Sequence, residues 1–426
     1  ALRRWARGEE NSIAFRDDGR MKILILTQYF SPEVGAAQTR LYETARALSR
    51  NGVDVAVFTS MPSYPLGKVF DDYKGCFFKQ DNIDGIDVYR VWSYASNELG
   101  VVKRLFSYGS FTALATAALT KVKPAPDLIF IESPPLTLGL TGYFLGKAWR
   151  RPWILNLSDL WPDSIFALGA MSRDSWAGKS LIKLEHFLYR KASGITVVTE
   201  GMVSDLLQKK RIPRNKLYYL PNGANVEAFQ PVEKLDEQKR KNFIYAGRIG
   251  SAHGVEVIAK AAAFTKHRED ICYQIVGDGP ELESLKKLAS DLNVTGLKFI
   301  EPVPLTEMPR KLNEAYAAFV TLKDLPLFKG TRPAKMMAPL AAGLPLLYSG
   351  SGEGAEMVKE SGAGLVTPPE DEKALAEAVL WLADHPQAAC EMGSKGRKFA
   401  EERLDWNALV KNWLEEVEER LLAKGK

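Results

Sequence analysis

A nearly continuous apolar run near the start of the chain, MKILILTQY at Met21–Tyr29, is the feature that most constrains the fold. Such a run predicts a strand that is buried on both faces, as in a parallel sheet. A loop with Pro32 and Gly35 follows, then a stretch with helical periodicity that ends at Gly52, and then a second apolar run, VDVAVFTS. This strand–loop–helix–strand order predicts half of a doubly wound α/β fold.

The same order returns in the second half of the chain. The segments NFIYAGRIG, VEVIAKAAAFTKH and CYQIVGDGP predict a strand, a helix and a second strand, and each strand runs into a glycine-rich loop. Further strand signals fall at Val88–Val91, Leu128–Ile131, Trp153–Leu157, Gly194–Val198, Leu297–Ile300, Ala317–Leu322, Leu344–Tyr348 and Gly364–Val366. We therefore predict two Rossmann-like, doubly wound domains, each with a parallel sheet, that face a cleft.

The length of 426 residues also favours two domains, because it is long for one hydrophobic core. The P-N-G turn within Leu217–Pro231 and the charged run that follows it, Glu233–Lys241, mark the expected junction. The first twenty residues are charged throughout and lack the apolar core of a signal peptide, so we expect them to be disordered and to precede the true start at Met21. The expected division is an extension over residues 1–20, domains over residues 21–225 and 226–404, and a C-terminal helix over residues 405–426 that packs back towards the first domain.

The overall charge and the cysteines restrict the function. A net charge of +5 suits anionic substrates or an anionic membrane surface, but is far below that of a dedicated nucleic-acid binder. Cys76, Cys272 and Cys390 lie far apart, which indicates neither a disulfide framework nor a thiolate metal site and fits a reducing cytoplasm. No uncharged apolar run is long enough to span a bilayer.

Two stretches combine basic residues with an apolar face, Gly100–Val122 and Leu181–Lys191. A helix of this kind can lie on a membrane surface, but a helix packed on the protein core is the commoner explanation, and we prefer it for Gly100–Val122.

The stretch Asp324–Pro345, DLPLFKGTRPAKMMAPLAAGLP, is a proline-rich loop that carries Lys329, Arg332 and Lys335 and runs into a short apolar helix. Fixed positive charge beside unpaired backbone N–H groups suits a phosphate. A solvated basic loop that caps a core helix fits this stretch equally well.

A second candidate for phosphate binding is the loop Gly247–Gly254, GRIGSAHG, because it lies between a strand and a helix. Arg248 could add a bidentate contact, and His253 is as consistent with a ligand contact as with a solvent-facing role. The glycine spacing differs from the G-x-G-x-x-G of dinucleotide-binding folds, which disfavours a dehydrogenase or an epimerase. Asp278, after Gly277, stands where a ribose-binding acid would, although a turn residue is the simpler interpretation.

Polar residues also follow three predicted strands of the first domain: Ser158-Asp159, Glu132 and Glu200. A carboxylate at the carboxyl end of a parallel strand faces the ligand crevice, so Asp159 is a candidate acid/base group or partner of an acceptor hydroxyl. A carboxylate that caps the next helix is the alternative for all three acidic residues. No spacing typical of a metal site or of a serine hydrolase occurs.

Seven segments, taken in order, resemble retaining glycosyltransferases of family GT4, and within them the WbuB-like group of surface-polysaccharide enzymes. They are PEVGAAQTR, SDLWPDS, LPNGANVEAF, YAGRIGSAHGVE, VGDGPE, PLFKGTRPAKMMAPLAAGLP and GAGLVTPPED. The resemblance covers the chain from Met21 onward and implies a GT-B architecture, with the donor nucleotide sugar held by the second domain and the acceptor by the first. It implies transfer of a hexosyl or N-acetylhexosaminyl group from a UDP donor to a lipid-linked or oligosaccharide acceptor, at the inner face of the membrane and without a metal.

Carried over residue by residue, the resemblance places Gly35 near the donor diphosphate, Arg248 on it and Lys335 in the family's P-S-K segment. There the cations would offset the charge of the leaving diphosphate. The expected catalytic residues are Asp159, Arg248 and Lys335; the expected donor-binding residues are Gly35, Gly247, Gly250, His253, Gly277, Asp278, Arg332 and Ala338; the acceptor-side candidates are Glu132, Ser158 and Glu200.

The chain departs from the family pattern at three places. His253 stands where many members have a lysine, which makes one diphosphate cation pH-dependent or absent. The two glutamates of the family's E-x7-E motif are replaced by Gly330 and Ala338, and the family's H-D pair is Ser158-Asp159. The missing glutamates motivate an alternative hypothesis, a catalytically silent protein of the same fold that binds a nucleotide sugar.

Overall fold

The computed structural model describes residues 18–64, 67–95, 101–119, 124–167, 169–232 and 240–422. Its contacts divide the chain into two compact units, one formed by Ala1–Pro221 with Trp406–Lys426 and the other by Asn222–Asp405. The junctions fall close to the expected residues 225 and 404. The charged run at 233–239 lies outside the described residues.

The first unit contains an eight-stranded sheet in the order β3-β4-β2-β1-β5-β6-β7-β8. All strand pairs are parallel except β3 with β4. The strands are β1 (Lys22–Leu26), β2 (Asp54–Ser60), β3 (Phe78–Ile83), β4 (Ile86–Val91), β5 (Leu128–Ser133), β6 (Trp153–Leu157), β7 (Gly194–Val197) and β8 (Leu217–Tyr219). The six helices between them are α1 (Ala36–Arg50), α2 (Val101–Leu119), α3 (Leu138–Trp149), α4 (Asp163–Ala167), α5 (Trp176–Lys191) and α6 (Glu200–Gln208).

The alternation of side chains along β1 explains why this strand reads as one apolar run. Leu24 and Leu26 belong to the core under α2, α3 and α5, whereas Ile23 and Ile25 belong to the core under α1. All four are fully buried, and each contributes about 1.5–3 kcal/mol relative to an exposed position. The chain reverses the direction of its strand order beside β1, between β2 and β5, which is where open α/β sheets bind ligands.

Helix α2 packs against the first sheet, as the preferred interpretation of Gly100–Val122 predicted. Phe111, Ala115 and Leu119 are fully buried in its core, and Phe106 is the exposed aromatic residue of the helix, at 63% exposure. The second amphipathic stretch, Leu181–Lys191, is the C-terminal part of α5. No helix in the described parts of the chain has the length and apolarity needed to cross a membrane.

The second unit contains a six-stranded parallel sheet in the order β11-β10-β9-β12-β13-β14. The strands are β9 (Lys241–Ala246), β10 (Ile271–Val276), β11 (Leu297–Ile300), β12 (Ala317–Thr321), β13 (Leu346–Ser349) and β14 (Gly364–Thr367). The helices are α7 (Glu256–Phe264), α8 (Leu282–Asp291), α9 (Met308–Asn313), α10 (Met337–Ala341), α11 (Glu353–Ser361), α12 (Glu372–Asp384) and α13 (Pro386–Arg403).

The last helix, α14 (Trp406–Val417), returns to the first unit, and a π-helical turn over Glu418–Leu422 extends it. Trp413 of this helix is 1% exposed, and its ring packs edge-on against Phe130 with 5.4 Å between the ring centres. The indole N–H donates a hydrogen bond of 3.0 Å to Thr196 Oγ1. A large aromatic side chain that is both buried and hydrogen-bonded anchors a helix strongly. The chain therefore closes the core of its first unit with its last helix.

Candidate functional site

The loops of interest in the second unit follow the central strands β9, β10 and β12. The strand order reverses beside β9, so that β10 lies on one side and β12 on the other. In doubly wound sheets, ligands bind outside the carboxyl ends of the strands at such a point. The loops at 247–255, 277–281 and 322–336 all start there, which brings together the two phosphate-binding candidates of the sequence.

The first two loops pack backbone against backbone. Ile249 N donates to the carbonyl of Asp278 at 2.9 Å. A Cβ atom on Gly277, whose φ is +152°, would lie 1.9 Å from the carbonyl oxygen of Gly247. Glycine is therefore required at Gly277 by both the left-handed backbone and the close approach. A Cβ on Gly247 would lie 3.4 Å from Lys335 Nζ, an ordinary van der Waals contact, so the backbone angle φ of +151°, and not a lack of space, favours glycine there.

Lys335 reaches into these loops from the third one. Its Nζ lies 4.3 Å from the centre of the Tyr245 ring and donates a hydrogen bond to the Tyr245 hydroxyl. No carboxylate of the described residues forms an ion pair with it. Desolvation lowers the pKa of Lys335 to about 7. A partly buried ammonium group without a counter-charge creates a local demand for an anion.

His253 adds a second basic group to the same loops. Its backbone N–H donates to the carbonyl of Gly250 at 2.9 Å, which closes the turn before α7. Its Nδ1 is buried and makes no hydrogen bond to any described residue. Burial, followed by the charges of Lys335 and Arg248, lowers the pKa of His253 to about 3, so the imidazole is neutral at neutral pH. The histidine can therefore donate or accept a hydrogen bond, but it carries no positive charge at neutral pH.

Two other basic residues are placed differently. Arg248 is exposed, and its backbone carbonyl accepts a 2.7 Å hydrogen bond from the Tyr245 hydroxyl. Arg332, expected to bind the donor, forms an ion pair of 2.7 Å with Glu353, the first residue of α11. This pairing was not predicted, and it reduces the charge that Arg332 offers to a ligand.

The remaining donor-side candidates are structural in this unit. The side chain of Asp278 accepts a hydrogen bond from Gly279 N at 2.7 Å, which agrees with the simpler interpretation of a turn residue. Ala338 lies in α10, and Gly330 ends a 3₁₀ turn that begins at Pro326. Helix α10 has only five residues and contains Pro339, so the helix expected after the basic loop is a single turn. The case for an anion at this loop therefore rests on Lys335.

The candidates of the first unit form a separate, buried network. Glu132 is the penultimate residue of β5 and is 1% exposed; it accepts hydrogen bonds from Asn156 Nδ2 at 2.6 Å and from Ser158 Oγ at 2.7 Å. Its carboxylate also forms an ion pair with Arg40 of α1, which is 7% exposed. Both carboxylate oxygens of Glu132 therefore accept hydrogen bonds inside the core.

Asp159 follows this network directly. Burial raises the pKa of Asp159, against hydrogen bonds from the Ser164 side chain and the Leu160 backbone. Glu200 is exposed in the first turn of α6, where Thr199 is the residue that caps the helix by accepting from Met202 N at 3.2 Å. Asp159 combines a strand-end position with a raised pKa, which favours a role in proton transfer.

The loop after β1 contains a site residue that sequence reasoning missed. The Glu33 carboxylate accepts hydrogen bonds from the backbone N–H groups of Phe30, Ser63 and Tyr64, at 3.1, 2.7 and 2.8 Å. Burial nevertheless raises the pKa of Glu33 to about 7. Glu33 ties this loop to the one after β2 and so fixes Gly35, the residue before α1. The acidic residue in P-E-V-G was the available signal.

Sequence reasoning also passed over Tyr245, because an aromatic residue in a buried strand usually reports only on packing. Among the described residues, no cluster of three or more His, Cys, Asp or Glu side chains has an arrangement that could hold a metal ion.

Two α/β units of parallel strands with these loops define a GT-B fold, as predicted. The solved structure of HepE from Anabaena in complex with UDP and glucose matches this chain with a TM-score of 0.69 and 17% identity, over 93% of this chain and 99% of that one. Residues 35–223 match the glycosyl transferase 4-like domain, and residues 227–399 match the glycosyl transferases group 1 domain. The chain belongs to the GT4-like glycosyltransferases, which confirms the resemblance found in its sequence.

Two relatives whose names state an activity have less than 30% sequence identity with this chain. The putative colanic acid biosynthesis glycosyl transferase WcaI of Escherichia coli (strain K12) is 23% identical over 427 residues, which is 93% of this chain and 100% of that protein. A GDP-mannose-dependent alpha-(1-6)-phosphatidylinositol monomannoside mannosyltransferase of Mycobacterium tuberculosis is 28% identical over 217 residues, 46% of this chain and 54% of that protein.

Proposed function

We propose that this glycosyltransferase moves a hexosyl or N-acetylhexosaminyl group from a nucleotide-sugar donor, UDP-linked, to a lipid-linked or oligosaccharide acceptor in surface-polysaccharide biosynthesis. The observation that carries the donor assignment is the Lys335 ammonium group, which has no carboxylate partner among the described residues and lies against the glycine loop at 247–254. A diphosphate supplies the charge that this group lacks, and Arg248, in the loop beside it, adds a second basic side chain.

The transfer breaks the bond between the sugar's anomeric carbon and the diphosphate oxygen and forms a bond to an acceptor hydroxyl oxygen. Negative charge develops on the leaving diphosphate, where Lys335 and Arg248 stabilise it. His253 donates a hydrogen bond to a phosphate oxygen, and Gly247 and Gly250 let the backbone of their loop approach it. Asp159 accepts the proton that the acceptor hydroxyl loses. Ser158 holds the loop of Asp159 in place, and Glu200 lies at the edge of the acceptor site. We propose retention of configuration and no metal, as the family resemblance implies.

The donor base and the acceptor are supported by different relatives. HepE was solved with UDP, and WcaI is described as a colanic acid enzyme, whereas the mycobacterial relative is described as GDP-mannose-dependent. The full chain should therefore be offered UDP-, GDP- and ADP-sugars together with a polyprenyl-diphosphate-linked acceptor. Release of UDP from one UDP-sugar supports the proposal. Release of GDP alone overturns the choice of base, and failure to release any nucleoside diphosphate overturns the proposed enzymatic activity.

We also propose that the protein acts at the cytoplasmic face of the membrane, in peripheral contact with anionic lipid. The exposed rings of Phe106 and Phe144, at 63% and 55% exposure, and the net charge of +5 support this contact. Sedimentation with vesicles should rise with the fraction of anionic lipid and fall for the variant Phe106→Ser/Phe144→Ser. Equal sedimentation of both proteins would contradict this contact.

The alternative is a protein of the same fold that binds a nucleotide sugar without turning it over. Gly330 and Ala338 favour this alternative, because the family's carboxylates at these positions are absent. Isothermal titration separates the two proposals, since UDP binding without any turnover supports the silent protein. The variant Ala338→Glu should raise UDP affinity by about tenfold if the restored carboxylate reaches the ribose hydroxyls. An unchanged affinity would show that position 338 does not face the ribose.

A further inference from the structure

Tyr245 connects the two basic residues of the donor site. It is the penultimate residue of β9 and is fully buried. Its ring belongs to the core with Ile249 and Ile275, so the side chain cannot swing away without opening that core. Only its hydroxyl reaches the loop, where it donates to the carbonyl of Arg248 at 2.7 Å and accepts from Lys335 Nζ.

A single hydroxyl can donate one hydrogen bond and accept others, so both interactions are satisfied together. Burial raises the pKa of Tyr245 far above its usual value, so the hydroxyl keeps its proton and remains the donor to Arg248. The ring adds an attraction for the Lys335 ammonium group, whose Nζ is 4.3 Å from the ring centre. Lys335 thus comes from a loop ninety residues further along the chain and is held at a fixed place beside the loop of Arg248.

We propose that Tyr245 is a positioning residue for the donor diphosphate: its hydroxyl fixes Lys335 and the backbone of the Arg248 loop to each other before the nucleotide binds. This inference rests on the proposed donor site and assigns a role in it to a residue that touches no substrate. Preorganised cations bind an anion better than mobile ones, because less ordering accompanies binding.

The variant Tyr245→Phe keeps the ring, the core packing and the cation–π contact, and removes only the hydroxyl. A matched control is Tyr273→Phe on the neighbouring strand β10: Tyr273 is 2% exposed, and its hydroxyl hydrogen-bonds Thr265 at 2.8 Å. Both variants remove one buried phenolic hydroxyl from the same sheet, but the Tyr273 hydroxyl does not contact a basic residue of the loops.

The test is isothermal titration of the full-length wild type and variants with UDP, at several pH values. We expect Tyr245→Phe to weaken UDP binding about three- to tenfold and Tyr273→Phe to leave it unchanged. The loss should increase above neutral pH, because the hydroxyl no longer stabilises the protonated form of Lys335. In the background of Lys335→Met, the same Tyr245→Phe change should have little further effect, since the cation that it positions is gone.

The outcomes separate the two proposals. If the wild type binds UDP, Lys335→Met weakens binding and Tyr245→Phe does not, the role of Tyr245 is overturned and the donor site stands. An equal loss for Tyr245→Phe and Tyr273→Phe would also overturn it, because the effect would then follow from core stability. If the wild type binds no UDP, the proposed donor site and the role of Tyr245 are both overturned.

Discussion

Two basic side chains, Arg40 of the first unit and Lys335 of the second, have opposite kinds of partner. In the first unit, Arg40 meets the carboxylate of Glu132, which is further hydrogen-bonded by Asn156 and Ser158. In the second unit, Lys335 contacts the hydroxyl and the ring of Tyr245, and no carboxylate of the described residues forms an ion pair with it. A charge pair that is complete inside the protein holds the structure together, whereas a cation without a counter-charge keeps its capacity for an anion from outside.

The largest effect that this comparison predicts is on the stability of the first unit. The variant Glu132→Ala leaves the Arg40 charge buried without a partner, so we expect a loss of about 3–5 kcal/mol in the free energy of unfolding. Urea unfolding can be followed by tryptophan fluorescence. Trp381 is the only tryptophan within Asn222–Asp405, so a Trp381→Phe background confines the signal to the first unit and the termini.

Glu200→Ala is the matched control, because Glu200 also follows a strand of the first sheet but is exposed. Its loss should stay within about 0.5 kcal/mol. If Glu132→Ala is as stable as this control, the Arg40–Glu132 pair does not stabilise the unit, and the contrast between the two units fails.

The same kind of change in the second unit should affect binding instead of stability. Lys335→Met removes an unfavourably desolvated cation, so the free energy of unfolding should stay the same or rise. Binding of UDP should weaken about 10- to 100-fold, because a charge-assisted contact to the diphosphate is lost. Lys329→Met is the control: it makes the same substitution in the same loop at an exposed position.

Isothermal titration of both variants with UDP, beside their thermal unfolding, decides the point. Equal UDP affinity for Lys335→Met and Lys329→Met would place the anion elsewhere. A marked loss of stability for Lys335→Met would mean that its ammonium group is structural, as Arg40 is.

The sequence predicted the parts of this molecule that depend on local patterns. The buried strands β1 and β9 and the loop Gly247–Gly254 follow from apolar runs and glycines. The edge strand β3, FKQDNI, was missed because it is polar and only partly buried, which gives it no apolar run. Helix α10 was expected as a short apolar helix, and Pro339 and Gly343 limit it to about one turn.

The partners of the site residues were beyond the reach of sequence patterns. Glu132 was recognised as a carboxylate at a strand end, but Arg40 lies 92 residues away and nothing local indicates the pair. Lys335 was recognised as a cation. That no carboxylate of the described residues pairs with it depends on tertiary contacts, which the sequence does not show. Both residues were therefore predicted to be site residues from their places in loops or at strand ends. The tertiary contacts then distinguish the ion-paired Glu132 from Lys335, which has no carboxylate partner among the described residues.

The smallest expected effect concerns pH. UDP binding requires a protonated Lys335, and desolvation lowers the pKa of this residue to about 7 in the free protein. The protein should therefore take up a proton on binding above pH 7, and the affinity should fall about three- to fivefold between pH 7 and pH 8 and level off once the total loss reaches the roughly 10- to 100-fold effect of Lys335→Met.

Two described groups have a pKa of about 7, Lys335 in the donor loops and Glu33 in the first unit, and the variant Lys335→Met separates their contributions. His253, which faces Lys335 and Arg248, is already neutral because its pKa is lowered to about 3, and Tyr245 keeps its proton. Isothermal titration in buffers of different ionisation enthalpy counts the proton that is taken up. The variant Lys335→Met should show neither the proton uptake nor the slope. A wild-type affinity that is constant from pH 7 to pH 9 would mean that Lys335 already has an anionic partner. Lys335 would then be paired inside the protein, as Arg40 is.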